Sequence, residues 1–164
     1  MTATWTAPRT YTAGELLTAS IFNSHIRDNL DWLKTPINSG LVTSTSNFTT
    51  TSAAFTDVTW ATTTFTTNGG GLLLYFRCAV AGSTTTNISF DVMVDGVSES
   101  GGNGVYPVDS LSTVARGTGF THRIAALSAG SHTIKIRTLT SAGTLTVYGS
   151  TAGAKPTYFV MEEA

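Results

Sequence analysis

Hydrophobic positions in this chain follow two periodicities that change over near residue 35. Before that point, Ala19, Ile26 and Leu33 recur at a spacing of seven, Phe22 and Asn29 fall between them, and Leu30 widens the stripe. The pattern predicts an amphipathic helix within Thr10 to Lys34, TYTAGELLTASIFNSHIRDNLDWLK. Two starts are open. Thr12 followed by Glu15 fits a capping box, and Thr18 stands ahead of Ala19-Ser20-Ile21 as a second N-cap. The reading is a first turn over 13–17, a main helix over 19–33, and a stop at Pro36. Arg27 and Asp31 lie four apart, a pairing worth about 0.3 kcal/mol on a helix surface. A stripe of about two heptads is marginal alone. Asn29 at a seam position suits a register-fixing polar residue in an oligomer. A helix packed on its own β domain, with Asn29 at the rim, fits the spacing equally well.

After residue 35 the period becomes that of strands. A Thr/Ser/Asn-rich stretch over 35–51 reads as a linker leading into a first strand at Asn47 to Thr50. Phe55, Val58 and Trp60 anchor the next segment, and Thr62 to Thr67 lead to an expected turn at Asn68-Gly69-Gly70-Gly71. Leu72 to Val80 is apolar enough for a central strand. Ile88, Phe90, Val92 and Val94 alternate with polar neighbours, which places Asp91 on a solvent face. Asp95-Gly96 signals a hairpin into Val97, and Gly101 to Gly104 a loop. Phe120 to Ala126 and Thr133 to Leu139 are expected to be separate strands joined through Ala129-Gly130-Ser131. Leu145, Val147 and Tyr158 to Met161 give the last pair. Roughly eight to ten short strands predict a mainly β chain: an extended arm, one α-helix, then a jelly-roll-like antiparallel β-sandwich. The organisation is residues 1–34 as arm and helix, 35–51 as linker and first strand, and 52–164 as sandwich.

Composition narrows the function. Among 164 residues the formal net charge is −1 and charged residues make up 12%. No basic run exists to bind nucleic acid or an anionic membrane. Cys78 is the single cysteine, so no intrachain disulfide is available, and its apolar surroundings suit a buried small hydrophobe. The start MTATWTAPRTYT has neither a basic nor an apolar segment of the secretory kind, and Leu72 to Phe76 is too short to span a bilayer.

Candidate chemistry is sparse. His25, His122 and His132 form no zinc motif, and Asp91 and Asp95 are better explained by a solvent face and a turn than by the paired carboxylates of a glycosidase. Thr151 stands where a nucleophile elbow needs Ser, and the glycine-rich loops lack a following helix. No catalytic residue, cofactor or metal ligand is expected. Trp60, Tyr106 and Tyr148 are candidate stacking platforms for sugar rings. Tyr106 stands out because it follows a glycine-rich loop beside Pro107, while core or intersubunit packing is the default for Trp60.

The run from Trp5 to Lys34 resembles an N-terminal segment of structural proteins of tailed bacteriophages, of the tail, fibre or head-decoration type. The resemblance rests on Trp5, Pro8, Arg9, Thr10, Tyr11, Gly14, Glu15, Thr18, Ala19, Asn23, His25, Arg27, Asp28, Asn29 and Leu30. It implies a virion location and docking on capsid, neck or tail proteins. Trp5, Pro8, Arg9, Tyr11, Phe22, His25, Ile26, Arg27, Asp28, Asn29, Leu30 and Leu33 are the expected docking or oligomerisation residues. The segments FDVMVDG, LSAGSHTIKIR and YFVMEEA resemble trimeric jelly rolls of the tumour-necrosis-factor and C1q type, which implies a homotrimer. The expected function is a non-enzymatic capsid-decoration or short fibre protein. The alternative is a carbohydrate-binding module for host attachment, with Tyr106 contacting a surface glycan.

Overall fold

The computed structural model describes residues 6–7, 9–30, 42–111, 113–149 and 158–163, with the backbone alone at 68, 109–111, 126 and 158–163. The chain divides into two compact units, Met1–Ile37 and Asn38–Ala164.

In the first unit the helix begins at the second of the two candidate caps. Thr18 Oγ1 accepts from the Ile21 N–H at 3.3 Å, and the α-helix α1 covers Ala19–Phe22. It widens into a π turn over Asn23–Arg27 and continues through residues 28–30. The capping-box pair forms without starting a helix: the Thr12 N–H donates to Glu15 Oε2 at 3.3 Å, and Gly14 turns the chain at φ 84°. A π turn holds one residue more than an α turn, so positions after it are rotated relative to a plain α-helix. The seven-residue column of the sequence reading is thereby disturbed. Phe22, Ile26 and Leu30, spaced by four, stay together on one face.

Asn29 is bonded within its own unit. It is 7% exposed, and its side chain accepts from the Thr6 N–H at 2.8 Å and donates to the Thr6 carbonyl at 2.9 Å and the His25 carbonyl at 3.2 Å. A carboxamide matches a peptide group in both donor and acceptor, so Asn29 ties the arm to the helix. Asp31 and Leu33 lie outside the described residues; Arg27 pairs with Asp28, at 2.7 Å.

The second unit is antiparallel throughout. Its strands are β1 (Phe48–Thr50), β2 (Thr56–Gly82), β3 (Thr86–Val94), β4 (Val97–Ser98), β5 (Tyr106–Leu111), β6 (Arg116–Thr140), β7 (Leu145–Tyr148) and β8 (Tyr158–Glu163). They join in the order β1-β7-β2-β6-β3-β4, with β5 beside β3 and β8 beside β2. Two expectations are corrected here. Asn68 to Gly71 lies inside β2 and Ala129 to Ser131 lies inside β6, so neither is a turn between strands. Instead β2 and β6 form one long ribbon from Thr56↔Thr138 to Val80↔Arg116, with register shifts at Asp57/Thr62 and Gly70/Leu72. Gly69 at φ 97° and Gly70 at φ 140° adopt backbone that a side chain resists, which is what a sharp bend in a paired strand demands.

The bend makes the sandwich. A straight strand would separate Trp60 from Phe76 by roughly 50 Å at about 3.3 Å per residue. Their rings are 6.2 Å apart, so the ribbon folds back over itself. Phe76 likewise meets Phe90 of β3 at 5.3 Å, although β2 and β3 share no backbone pairing. Both layers feed one core that includes Leu72, Leu74, Phe76, Cys78, Val80, Ile88, Phe90, Val92, Ile124, Ile134, Ile136, Leu145 and Val147. Its inward positions alternate along β2 and β3, as a jelly-roll-like fold requires. Burial pushes the Cys78 thiol far up, which fits the hydrophobe expected of it.

Candidate functional site

The chemistry of the second unit gathers where the ribbon's second half faces β5. The register sets Phe76 opposite Phe120, Arg77 opposite Gly119 and Tyr75 opposite Thr121. Phe76 and Phe120 point inward and pack at 5.4 Å, while Phe120 also meets Phe90 at 6.0 Å. Tyr106 enters from β5, held there by pairing with Phe90, and stacks on Phe120 at 5.4 Å with 27° between ring planes. A Cβ at Gly119 would come within 2.5 Å of the Phe76 carbonyl oxygen, so glycine permits the close approach of the two strands here.

These residues enclose an open cleft of about 720 Å³, lined by Tyr75, Arg77, Tyr106, Phe120 and Thr121 together with Phe76 and residues 117–119. Tyr75 is 39% exposed, Tyr106 and Phe120 are half-buried, and Arg77 is exposed. The cleft therefore offers aromatic surface, one cation and threonine hydroxyls in a volume suited to a small ligand. Tyr106 was visible in the sequence as a candidate. Tyr75, Arg77 and Phe120 were not, because they belong to two strands that only the register brings together. The other two candidate platforms lie elsewhere: Trp60 is half-buried against Phe76, and Tyr148 is half-buried at the end of β7.

The ionisable residues pair in a different way from that expected. Asp91 is fully buried, because Arg137 of β6 and the hydroxyls of Ser98 and Ser100 cover its side of β3. Its carboxylate meets the Arg137 guanidinium and accepts from Ser98 Oγ at 2.9 Å and Ser100 Oγ at 2.8 Å. Burial alone would raise this carboxyl; Arg137, Ser100 and Ser98 together outweigh burial and hold it below the usual carboxylate range. Arg137 also lies over the Phe55 ring, at 5.4 Å. Asp95 accepts from the Thr133 N–H at 2.8 Å and meets His132 Nδ1 at 2.6 Å. These bonds lower Asp95, and Asp95 with the Ser128 carbonyl raises His132. His122 lies 3.6 Å from Glu99. His122 and His132 thus face separate acidic partners, and Asp91 and Asp95 separate basic ones. Among the described residues no group of histidine, cysteine and acidic side chains could hold a metal ion.

The residues expected to dock the N-terminal segment are placed as follows. Trp5, Pro8 and Leu33 lie outside the described residues. Arg9 pairs with Glu15 and sits 5.2 Å from the Tyr11 ring centre. Phe22 is 50% exposed, Ile26 37% and Leu30 59%. Leu16 and Leu17, which the sequence reading did not single out, are exposed at 81% and 56%. Neither helical segment contains a buried residue, and His25 Nδ1 is enclosed without a hydrogen-bond partner among the described residues.

No protein-family model and no curated protein matches the chain. Among solved structures it is similar to the Eiger TNF of S. frugiperda, at 11% identity over 79% of this chain and 93% of that one, with a TM-score of 0.48. It is also similar to a family 35 carbohydrate-binding module from Clostridium thermocellum, at 19% identity over 77% and 99% of the two chains and a TM-score of 0.36. A third is the carbohydrate-binding module CBM6cm-2 from Cellvibrio mixtus lichenase 5A, solved with cellotriose, at 16% identity over 79% and 88% and a TM-score of 0.32. Overlap of this degree assigns no function. Among the described residues no helix is long and apolar enough to cross a membrane.

Proposed function

We propose that this chain is a non-enzymatic structural protein of a tailed-bacteriophage virion, a homotrimeric capsid-decoration or short fibre protein docked through residues 1–34. The observation that carries this reading is the exposed apolar face of the N-terminal helix, formed by Phe22, Ile26 and Leu30 with Leu16 and Leu17 ahead of it. Phe22, Ile26 and Leu30 gain little burial from the described part of their own chain, so these side chains are free to bury surface against further copies of the same helix and the virion protein beneath. At about 25 cal/mol per Å² a few such anchors hold an assembly without covalent links. The three-copy stoichiometry and the virion placement rest on the two sequence resemblances. The bonds of Asn29 to Thr6 support a role for this residue in shaping the docking segment, with the contacts themselves left to the apolar face, Arg27, Asp28 and His25.

Deleting residues 1–34 tests this. Mass spectrometry of purified virions is expected to find the full chain and not the truncated one; incorporation of the truncated chain at normal copy number contradicts the docking role. The cleft at Tyr106 favours a second, compatible reading, in which the β unit contacts a glycan on the host surface. A glycan array is expected to show binding that Tyr106→Ala removes.

A further inference from the structure

We infer that the Tyr106 cleft selects an acidic saccharide, its carboxylate facing Arg77 and its ring lying on the tyrosine faces. The inference rests on the glycan-contact reading and adds to it the class of sugar. Three features of the site carry it. First, the exposed aromatic surface comes from Tyr75 on one side and from Tyr106, stacked on Phe120, on the other. Such a pair accepts the apolar C–H face of a pyranose without reading a particular hydroxyl pattern. Second, two glycines, Gly117 and Gly119, line the cleft without side chains. Gly117 has open space where a Cβ would stand, and Gly119 presents backbone against Phe76, so no side chain from these positions fills the volume. Third, the charge among the described lining residues is of one sign. Arg77 is the charged lining residue among those described, and no described Asp or Glu lines the cleft. Its guanidinium makes no ion pair among the described residues, unlike Arg9, Arg27 and Arg137, each of which is held by a carboxylate. An exposed guanidinium beside an aromatic platform is suited to a planar carboxylate, which it meets through two parallel N–H donors. Thr118 and Thr121 provide hydroxyls for the sugar's remaining oxygens.

The test compares two trisaccharides of one backbone, trigalacturonate and its neutral counterpart α-1,4-galactotriose, by calorimetric titration of the full chain. Trigalacturonate is expected to bind at least about tenfold more tightly, the scale of a hydrogen-bonded charge. Arg77→Gln removes that preference, Tyr106→Ala weakens both ligands, and Arg123→Gln, a control cation outside the cleft lining, changes neither. Melting curves equal to wild type qualify each variant; should Tyr106→Ala fold poorly, Tyr75→Ala takes its place. If both trisaccharides bind equally and Arg77→Gln has no effect, the acidic-sugar inference is wrong while the glycan reading stands. If neither binds, both fall. A loss on Arg123→Gln as large as on Arg77→Gln overturns the inference in favour of diffuse attraction, and binding that survives both tyrosine variants places the site elsewhere.

Discussion

The two units of this chain treat their apolar residues in opposite ways. In the β unit Leu72, Leu74, Phe90, Val92, Ile134 and Ile136 are essentially inaccessible, and the ribbon of β2 and β6 folds back so that both layers share them. In the N-terminal unit the apolar residues Leu16, Leu17, Phe22 and Leu30 are at least half exposed, and the helix is held by polar ties at Thr18 and Asn29. A segment ordered by caps and hydrogen bonds keeps its hydrophobic surface available, whereas one ordered by burial has used it. This difference supports assigning assembly to the first unit and any ligand contact to the second.

The comparison can be broken by removing one large side chain from each unit. Phe90→Ala is expected to destabilise the β unit by about 3–5 kcal/mol through the cavity it leaves, whereas Phe22→Ala should leave its thermal midpoint unchanged. Calorimetry that found equal losses would show that the helix stabilises the sandwich directly. Ion pairs give a similarly large contrast. Asp91→Ala strands the half-buried Arg137 guanidinium and leaves Ser98 and Ser100 without their acceptor, which should cost about 3 kcal/mol, against about 0–1 kcal/mol for Asp28→Ala at the exposed pair with Arg27. Urea titration measures both. Smaller again is the effect at Gly104, where φ is 84° and a Cβ would come within 2.1 Å of Ser89 Oγ. Gly104→Ala should cost about 1–3 kcal/mol, more than Gly14→Ala, which shares the φ of 84° but whose Cβ would meet nothing within 4 Å.

The smallest expected effect is a dependence on pH that belongs to the β unit. His132 is raised by Asp95, so its contribution is complete below the ordinary histidine value and is lost as pH rises through the raised one. Asp91 and Asp95 are lowered, so theirs is complete above the ordinary carboxylate value and is lost as pH falls through the lowered ones. All three operate together between about pH 4 and pH 6.5. Thermal melts across pH should lose their alkaline-side decline in His132→Asn and keep the acid-side one.

Much of this architecture was legible in the sequence. Alternation along Ile88 to Val94 marked β3, Asp95-Gly96 marked its hairpin, and Thr18 marked the helix start. What failed had a shared cause. Glycine clusters encode positive φ, and the chain uses that freedom equally for a turn or for a bulge inside a paired strand. Asn68 to Gly71 and Ala129 to Ser131 were therefore read as ends where the ribbon bends and continues. Asp91 was misplaced because alternation assumes one wet face, while Ser98, Ser100 and the cross-strand Arg137 cover that face of β3 here. The cleft was only a quarter visible: Tyr106 had a local signal, but Tyr75, Arg77 and Phe120 acquire meaning through register across β2 and β6.

The central claim is that the N-terminal helix is the assembly surface and the β unit stands without it. Light scattering of the full chain and of a variant carrying Phe22→Asp, Ile26→Asp and Leu30→Asp tests it most directly. The account predicts a trimer mass for the full chain, a monomer mass for the variant, and the same melting midpoint for the β unit in both. A monomeric full chain at assembly concentrations, or a variant that keeps the trimer mass, would contradict it.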